Sequence, residues 1–549
     1  MLPVGPSVYE RRPGDACRPL PLAYRRHEPE KTILYKVVQE HLASFLAEQR
    51  ERSDHGFGLP RFVEREFEKY LDCGILCRGF ARARCRRCGD DMVVAFSCRG
   101  RAICPSCGAR RMHDGAAHLV DRVIPRVPVR QWVLTFPPRL RACLAYDSKL
   151  LAEALTLFIR ALYCYQRCQA RLLGLPTTRA TTSGSITVVQ RVGSALQTMP
   201  HFHTLLPDGV FTQDPKDPDG RPRFHRLEPP DDQATTEILQ KVSASVLGHL
   251  RKKGRLDDDW APPPDDALAP LFTEAVPVPA RPRAPGPRVQ IELDPEPRTA
   301  SLQGFSLHAA VAVHDNDREG LERLCRYCLR PPLSLERLSL EPDGQLRYRL
   351  KRRFSDGSQE VLLSPQALLG RLAAAVPRPR VHGIHYHGLF AAHAHGRAAL
   401  VGRRAAKGNV SSAASKPPPC AEVPAVSGQP PLPEAPPAHP VWPTAPGDGA
   451  RDGHPPVPPP LTDRSRRLPW AELLRRVHKV DVETCKRCGG RVEIIAYITE
   501  PTTVSRILGH LDLPTEPPLR APARAPPQLD LELGDPSEQY FADPPCADW

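Results

Sequence analysis

The sequence predicts an α+β protein in which a central antiparallel sheet with flanking helices follows a helical, cysteine-rich N-terminal region. Three observations lead to this prediction. Apolar residues recur at helical spacing in long stretches such as 31–70 and 148–174. Short apolar segments of strand length alternate with these helices. The 65 prolines cluster between the periodic segments, which predicts long disordered linkers.

The elements follow in order along the chain. The stretch 31–70 predicts two helices, with Thr32 as the first N-cap, and a Gly-Leu-Pro break divides them. Strands and helices then alternate until about residue 375. The predicted strands are 129–136, 183–196, 201–211 and 304–314, with a hairpin over 344–364 that turns at Asp356-Gly357. The predicted helices are 148–174, 234–253, 317–330 and 365–375.

Composition divides the chain into six regions. Proline-rich text predicts disorder where too little apolar surface is available for burial, including an insertion at about 256–299. The predicted regions are a disordered N-terminus (1–30), a helical and zinc-binding domain (31–120), a larger domain (128–400), a disordered linker (403–464), a small Cys-x-x-Cys unit (467–514) and a disordered tail (515–549).

Charge and hydropathy limit the class of protein. The 76 Lys and Arg exceed the 62 Asp and Glu, which gives a net charge of +14 and favours polyanionic partners, nucleic acid first. No apolar run approaches the ~20 residues of a membrane span, and no signal peptide is evident. We therefore expect a soluble cytoplasmic protein without a membrane partner. In such a compartment its 17 cysteines indicate metal or free thiols ahead of disulfides.

The cysteines of residues 73–107 carry the strongest local signal. Cys85-x-x-Cys88 and Cys104-x-x-Cys107 are separated by 15 residues, a spacing at which two knuckles close a tetrahedral Zn²⁺ site. Cys73, Cys77 and Cys98 remain as core residues or exchangeable ligands. Cys485-x-x-Cys488 resembles half a zinc ribbon, but its simpler interpretation is a knuckle turn without metal.

Arginines surround these cysteines and are opposed there only by Asp90 and Asp91. Guanidinium groups match phosphate geometry, so a basic zinc module predicts DNA binding, against the alternative of a purely structural zinc domain. The candidate DNA-binding residues are Arg78, Arg84, Arg86, Arg87, Arg99, Arg101, Arg110 and Arg111, with Arg82 among them in sequence.

His201 and His203 lie one residue apart in a predicted strand, so their side chains share one face and Phe202 points to the other. Two imidazoles on one face suit a divalent metal, and a third ligand must come from a neighbouring strand. His308 and Gln190 are the candidates, and His308 is preferred because imidazole is the commoner ligand.

The helix 317–330 carries Tyr327 away from the centre of its apolar stripe, with Arg323 and Arg330 within one turn. A tyrosine between arginines and beside a metal suits nucleophilic attack on a phosphodiester, in which the phenolate becomes a covalent carrier. On the helix alone, a packing tyrosine would be the simpler interpretation.

These motifs resemble bacterial rolling-circle insertion-sequence transposases of the HUH endonuclease superfamily. The resemblance rests on the segments around residues 98–136, 201–211, 321–338 and 480–497. It implies an HUH-type sheet and a single-strand DNA endonuclease and strand transferase that acts on element ends and target. His201 and His203 would hold Mg²⁺ or Mn²⁺, Tyr327 would form a 5′-phosphotyrosine, and the N-terminal zinc domain would help to bind the ends.

Many relatives carry two tyrosines four residues apart, whereas this chain has Arg323 at the first position and therefore resembles the single-tyrosine branch. It also has Met199 before the histidine pair and Pro331 where relaxases often have Lys. The alternatives are an inactive zinc-dependent DNA-binding protein derived from such a transposase, and a replication initiator or relaxase. The resemblance also implies association with the bacterial nucleoid.

Overall fold

A computed structural model describes most of the chain between residues 27 and 524. The described ranges are 27–53, 56–176, 181–213, 221–255, 268–276, 297–351, 353, 357–400, 471–473, 476 and 481–524. The predicted linker 403–464 and most of the predicted insertion, N-terminus and tail lie outside these ranges, as does the predicted Asp356 turn position.

Every predicted helix is present within a few residues of its expected bounds, and the described residues contain five further helices that were not predicted. Several helices begin at a side-chain cap. Thr32 accepts a hydrogen bond from the Tyr35 amide, as predicted, and Asp317 accepts one from the Gly320 amide. The helices are α1 (Ile33–Glu51), α2 (Arg61–Asp72), α3 (Pro105–Arg122), α4 (Pro138–Tyr146), α5 (Ser148–Leu172), α6 (Asp232–Lys252), α7 (Leu268–Glu274), α8 (Arg318–Leu329), α9 (Pro365–Ala375), α10 (Arg397–Leu400) and α11 (Pro501–His510).

The strands form antiparallel sheets, as the predicted α+β class requires. The predicted strand 304–314 is interrupted and becomes two short strands, both paired with the same neighbour. The strands are β1 (Phe80–Cys85), β2 (Asp91–Ala95), β3 (Val129–Thr135), β4 (Thr181–Thr182), β5 (Gly184–Val192), β6 (Thr198–Pro207), β7 (Gly209–Thr212), β8 (Arg223–Arg226), β9 (Thr299–Leu302), β10 (Phe305–His308), β11 (Ala312–Val313), β12 (Leu338–Leu340), β13 (Leu346–Arg349), β14 (Glu360–Leu363), β15 (Ile384–Gly388) and β16 (Val492–Ile498).

The central sheet has the order β15-β5-β6-β3-β10-β9, and β11 also pairs with β3. Strand β6 therefore lies in the interior, between β5 and β3, and its register sets Val133 opposite His203 and Gln190 opposite His201. One face of the sheet packs on α4, α5 and α6 through a core that contains Trp132 and Phe202. The other face packs on α3 and α8. Helices thus cover both faces of the strand that carries the histidines.

A buried ion pair fixes one end of this sheet. Arg130 on β3 donates two hydrogen bonds to the carboxylate of Asp208, of 2.9 Å and 2.8 Å, and a third of 2.7 Å to the Ala309 carbonyl. Both side chains of the pair are largely buried. The bidentate geometry satisfies the charges that burial desolvates.

The N-terminal region and the C-terminal segment form one sheet, of order β16-β1-β2. Helix α11 covers its apolar face through Val504 and Leu508, which pack on Leu76 and Phe80. The small C-terminal unit predicted at 467–514 is therefore joined to the N-terminal region, because its strand completes a sheet that this region begins.

Two further boundaries differ from the prediction. Residues 519–524, assigned to a disordered tail, lie against α1 and α2: the Ala521 amide donates to the Gln39 carbonyl on α1, and Arg520 pairs with Asp72 on α2. Helices α1 and α2 share a core with α7, α9 and the sheet β12-β13-β14, so the N-terminal and later regions are packed together. The limits of these regions depend on contacts between residues far apart in the sequence. Local composition does not reveal such contacts. Within the described residues, no helix is long and apolar enough to span a bilayer.

Candidate functional site

The histidine pair lies in the middle of the central sheet. His201 and His203 are buried on the α8 face of β6, while Phe202 is buried on the opposite face against Phe136 and Phe158. This is the alternation that the strand period predicts. The apolar packing of Phe202 holds the two neighbouring rings to one direction.

The rings of His201 and His203 have centroids 4.9 Å apart. Burial lowers the pKa of His201 to about 4, with smaller contributions in the same direction from Arg330 and Arg141 and an opposing one from the Met199 carbonyl. Burial, His201 and Arg330 also lower the pKa of His203 well below its usual range. Both imidazoles are therefore neutral near pH 7, the form in which histidine binds a metal.

The hydrogen bonds of the two rings leave one nitrogen of each for a ligand. Nδ1 of His201 donates to the Met199 carbonyl at 2.7 Å, which leaves the lone pair of Nε2 free. Nδ1 of His203 is 2.8 Å from the side-chain amide nitrogen of Gln131, and its buried Nε2 has no hydrogen-bond partner. For Nε2 to bind a metal, the Gln131 amide must turn its oxygen to an Nδ1–H group. Two neutral imidazole nitrogens in an otherwise buried site fit a divalent cation.

The two candidate third ligands differ in their distance from the pair. His308 shares the face of the histidines, as required, but β3 separates its strand from β6, a span of about 9.5 Å. The ligand atoms of His201, His203 and His308 do not gather within 4.8 Å of one another among the described residues. Gln190 lies directly opposite His201 on the adjacent strand β5. The register therefore favours Gln190 over the predicted His308.

Helix α8 brings Tyr327 to the histidines. Its apolar stripe packs Leu321, Leu324 and Cys328 on the sheet, and Tyr327 lies at the edge of that stripe, 45% exposed. The ring of Tyr327 is 5.7 Å from that of His203, centroid to centroid, in an edge-to-face arrangement. A half-exposed phenol thus stands beside two buried imidazoles.

The two arginines predicted to flank Tyr327 have different positions. The guanidinium of Arg330 lies over the Tyr327 ring, 4.6 Å from its centroid, and it also acts on both histidines. The guanidinium of Arg323 instead faces Asp317 and Glu319, at 3.8 Å and 3.9 Å. Only Arg330 therefore accompanies the tyrosine, and the prediction for Arg323 is not supported by the structure.

The sequence did not identify Gln131 or the structural role of Gln190. Gln131 bonds His203 and also donates to the Cys328 sulfur, at 3.3 Å. Both glutamines lie on strands next to β6, on the face that carries the histidines. Only the register of the paired strands could have identified them, and the sequence alone does not say which strands pair. His387 on β15 lies on the opposite face of the sheet, because it pairs with Ser185 on β5.

The predicted zinc set of Cys85, Cys88, Cys104 and Cys107 is wrong in its grouping. The structure divides these residues between two sets, in each of which all four sulfurs lie within 4.8 Å of one another. Cys85 and Cys88 lie at the end of the β1–β16 pair, apart from Cys104 and Cys107. The 15-residue spacing between the two motifs therefore does not determine which cysteines form one set. The core cysteine set is Cys73, Cys98, Cys104 and Cys107, and the bridging cysteine set is Cys85, Cys88, Cys485 and Cys488.

Three residues of the core cysteine set are buried against α1 and α2, and Cys98 is partly buried there. Its sulfurs are 3.5–3.7 Å apart for the pairs 73–107, 98–107 and 73–104. Sulfurs at the corners of a tetrahedron with Zn–S bonds of about 2.3 Å are about 3.8 Å apart, so the set fits structural Zn²⁺. Backbone amides of Cys98, Gly100 and Cys107 point at its sulfurs, as in zinc knuckles.

The eight arginines that were predicted to bind DNA are all exposed. Several are oriented by neighbours: Arg78 pairs with Asp72 at 3.1 Å, and Arg111 donates to the carbonyls of Arg99 and Gly100. Exposed guanidinium groups held in this way remain accessible to phosphate oxygens.

Comparison with protein families gives two matches. Residues 184–398 match the family described as "Putative transposase", and residues 37–136 match the family described as "Transposase zinc-binding domain". Together the matched ranges cover more than half of the chain. These two domains identify the chain as a transposase. The transposase matches therefore confirm the resemblance to insertion-sequence transposases that its motifs indicated.

The two matched ranges correspond to the parts already described. The transposase match contains β5, β6 and α8, and hence the histidines and Tyr327. The zinc-binding match contains the whole core cysteine set but only half of the bridging set. DNA is the partner of a transposase, and Zn²⁺ is its structural metal. Searches of curated proteins and of solved structures gave no match to this transposase.

Proposed function

We propose that the transposase cuts and rejoins single-stranded DNA at the ends of an insertion sequence, with Tyr327 as the nucleophile. The observation that carries the proposal is the 5.7 Å approach of the Tyr327 ring to His203, which lies beside His201 on one strand. A phenol next to two buried neutral imidazoles supplies both a nucleophile and the ligands of a metal. The single tyrosine implies one covalent link at a time.

His201, His203 and the side-chain oxygen of Gln190 would hold Mg²⁺ or Mn²⁺. When bound there, such a cation would withdraw charge from the scissile phosphate. The oxygen of Tyr327 attacks the phosphorus, and its proton passes to solvent, to which the ring is half open. A Tyr–O–P bond forms and the P–O3′ bond breaks, which gives a 5′-phosphotyrosine and a free 3′-hydroxyl.

Rejoining reverses the same bonds. A 3′-hydroxyl of the target strand attacks the phosphotyrosine, and the phenol leaves with a proton, so the phosphodiester count is unchanged and no nucleotide cofactor is consumed. The guanidinium of Arg330, 4.6 Å from the Tyr327 ring, binds the phosphate oxygens in both steps. Successive cutting and joining of this kind supports a rolling-circle type of transposition.

The test is formation of a covalent adduct with a labelled single-stranded oligonucleotide that carries the element end, in Mn²⁺ or Mg²⁺. The wild type is expected to form a denaturation-resistant adduct, and Tyr327→Phe to form none while it still binds DNA. Tyr497→Phe, which changes another exposed tyrosine, is the matched control and should retain the adduct. An adduct that survives Tyr327→Phe would refute the assignment.

The same assay separates the alternatives. DNA binding without an adduct in the wild type would favour an inactive DNA-binding protein. Equal cleavage of a plasmid origin would favour a replication initiator or relaxase. A DNA substrate also implies a location at the bacterial nucleoid.

A further inference from the structure

We propose that the bridging cysteine set is a second Zn²⁺ site, which joins the two ends of the transposase and is distinct from the site in the core cysteine set. One pair, Cys85 and Cys88, begins at the last residue of β1, and the other, Cys485 and Cys488, precedes β16. The second pair lies outside both ranges that match the transposase families. The site therefore adds a metal and a C-terminal segment to the zinc-binding region of the family.

The distances between the sulfurs fit a tetrahedral metal. The Cys85 and Cys488 sulfurs are 3.5 Å apart, and the Cys88 and Cys485 sulfurs are 3.6 Å apart. These values approach the roughly 3.8 Å between sulfurs in a Zn–S₄ site with bonds of about 2.3 Å. Each short contact joins one pair to the other, so neither pair can complete the site alone.

The two halves of the site have the same backbone geometry. The Gly89 amide donates to the Cys85 carbonyl at 3.0 Å, and the Gly489 amide donates to the Cys485 carbonyl at 2.9 Å. Gly89 and Gly489 both have positive φ, of 74° and 69°, which a glycine adopts without strain. Two Cys-x-x-Cys-Gly turns of one shape, facing each other, are typical of paired zinc knuckles.

The surroundings of the site hold the C-terminal half in register. Strand β16 pairs with β1 along its whole length, from Phe80↔Ile498 to Cys85↔Val492. Arg86 forms an ion pair of 2.5 Å with Glu493, and Arg87 donates to the Cys488 carbonyl at 3.3 Å. A metal at this end of the two strands would fix the pairing where the sheet ends.

Arg476, which precedes the bridging cysteine set in the sequence, contacts the helix of the nucleophile. Arg476, nine residues before Cys485, forms ion pairs of 2.6 Å with both Asp121 on α3 and Glu322 on α8. Glu322 is five residues before Tyr327, on the same helix. The zinc site thus anchors a segment that braces α8, and Arg476 is a positioning residue in this arrangement.

The decisive measurement is the zinc content of the purified full chain by mass spectrometry of the metal. The wild type is expected to contain two zinc ions per chain, and the double variant Cys485→Ser with Cys488→Ser to contain one. The matched control is Cys164→Ser with Cys168→Ser, which changes two exposed cysteines of α5 outside both sets and should retain two. Two zinc ions in the first double variant, or one in the wild type, would overturn the proposal.

A second variant keeps the test valid if the double variant does not fold. Cys488→His retains a metal ligand, and we expect it to bind two Co²⁺ ions per chain when cobalt replaces zinc. Its thiolate-to-cobalt charge-transfer absorption should fall relative to the wild type, because eight cobalt-bound sulfurs become seven. An unchanged absorption at the same cobalt content would show that Cys488 is not a ligand and would refute the site.

Hydrogen exchange then tests the link to α8. In Cys485→Ser with Cys488→Ser, the amides of β1, β16 and α8 should exchange faster than in the wild type, and those of β6 should be unchanged. Arg476→Met should accelerate exchange in α8 without loss of zinc. Unchanged exchange of α8 in both variants would refute the bracing role. These readouts do not depend on DNA cleavage, so their failure is separate from a failure of the proposed nuclease.

Discussion

Gln190 donates a hydrogen bond of 2.6 Å from Nε2 to the carbonyl oxygen of Cys328. The bond joins β5, the strand beside the histidines, to the end of α8, the helix that carries Tyr327. Because a glutamine has a second polar atom, the same side chain can direct its oxygen to the metal that we propose. Gln190 thereby couples the position of the nucleophile to that of the cation.

Substitution of Gln190 separates these two roles. We expect Gln190→Ala to weaken Mn²⁺ binding and to slow cleavage by roughly 10–100-fold, as for other residues that support a metal. Gln190→Glu retains a ligand oxygen but cannot donate to Cys328, so Mn²⁺ binding should persist while cleavage remains slow. Calorimetry of Mn²⁺ and single-turnover cleavage measure the two effects.

Two controls complete this test. Gln233→Ala changes an exposed glutamine of α6 and should alter neither quantity. If His308→Ala abolishes Mn²⁺ binding and Gln190→Ala does not, His308 is the third ligand.

Arg330 and Arg323 form a matched pair, since both lie within one turn of Tyr327 but only Arg330 contacts its ring. We expect Arg330→Ala to slow cleavage by roughly 10²–10³-fold, because a charge that stabilises the transition state is lost. Arg323→Ala removes only exposed ion pairs, worth at most ~1 kcal/mol, and should change the rate less than about fivefold. Single-turnover cleavage rates at saturating DNA measure both effects. Equal losses of cleavage rate in the two variants would contradict the role proposed for Arg330.

Gln131 orients His203, and its replacement should weaken the metal site without changing any proposed ligand. We expect Gln131→Leu to reduce Mn²⁺ affinity by roughly 10–100-fold, because His203 loses the partner of its Nδ1. Gln131→Glu places an acceptor where the wild type has the amide NH₂, which favours the Nδ1–H form of His203 with a free lone pair on Nε2, and should bind Mn²⁺ at least as well as the wild type. Similar affinities of the Leu and wild-type proteins would show that packing alone orients the ring.

The buried pair of Arg130 and Asp208 should contribute measurably to stability. Asp208→Asn leaves the guanidinium of Arg130 without its opposite charge, which we expect to lower the free energy of unfolding by about 3–5 kcal/mol. Glu28→Gln, which breaks an exposed pair with Lys31, should cost less than about 1 kcal/mol. Urea denaturation of the two variants compares them, and equal midpoints would contradict the prediction.

Cys328 lies next to the nucleophile but should be chemically inert. Burial raises the pKa of its thiol to about 12. A raised pKa means that the thiolate forms only as the pH approaches that value, so at pH 8 the residue is almost wholly protonated. Iodoacetamide at pH 8 should therefore modify the exposed Cys164 and Cys168 within minutes and spare Cys328 until the protein is denatured, as peptide mass spectrometry will show.

The sequence was sufficient for features that depend on local periodicity. The shared face of His201 and His203 follows from the two-residue period of a strand, and the edge position of Tyr327 follows from the stripe of α8. Both are properties of a single element, so neighbouring elements did not need to be known.

Partners that lie on different elements could not be predicted in this way. Gln190 lies closer to His201 than His308 does only because β5 is adjacent to β6. Cys85 meets Cys488 because β16 pairs with β1, across about 400 residues. Arg323 lies one helical turn from Tyr327, but its guanidinium faces the carboxylates of Asp317 and Glu319 and not the tyrosine ring.

The pairing of β1 with β16 also sets an order of events during synthesis. Strand β1 leaves the ribosome about 400 residues before β16 does. Until β16 is synthesised, one edge of β1 is unpaired and Cys85 and Cys88 lack Cys485 and Cys488. A chain that stops before residue 492 cannot close that sheet. Completion of the sheet β16-β1-β2 is thus a late step, and an interrupted translation product is left with an unfinished zinc-binding region.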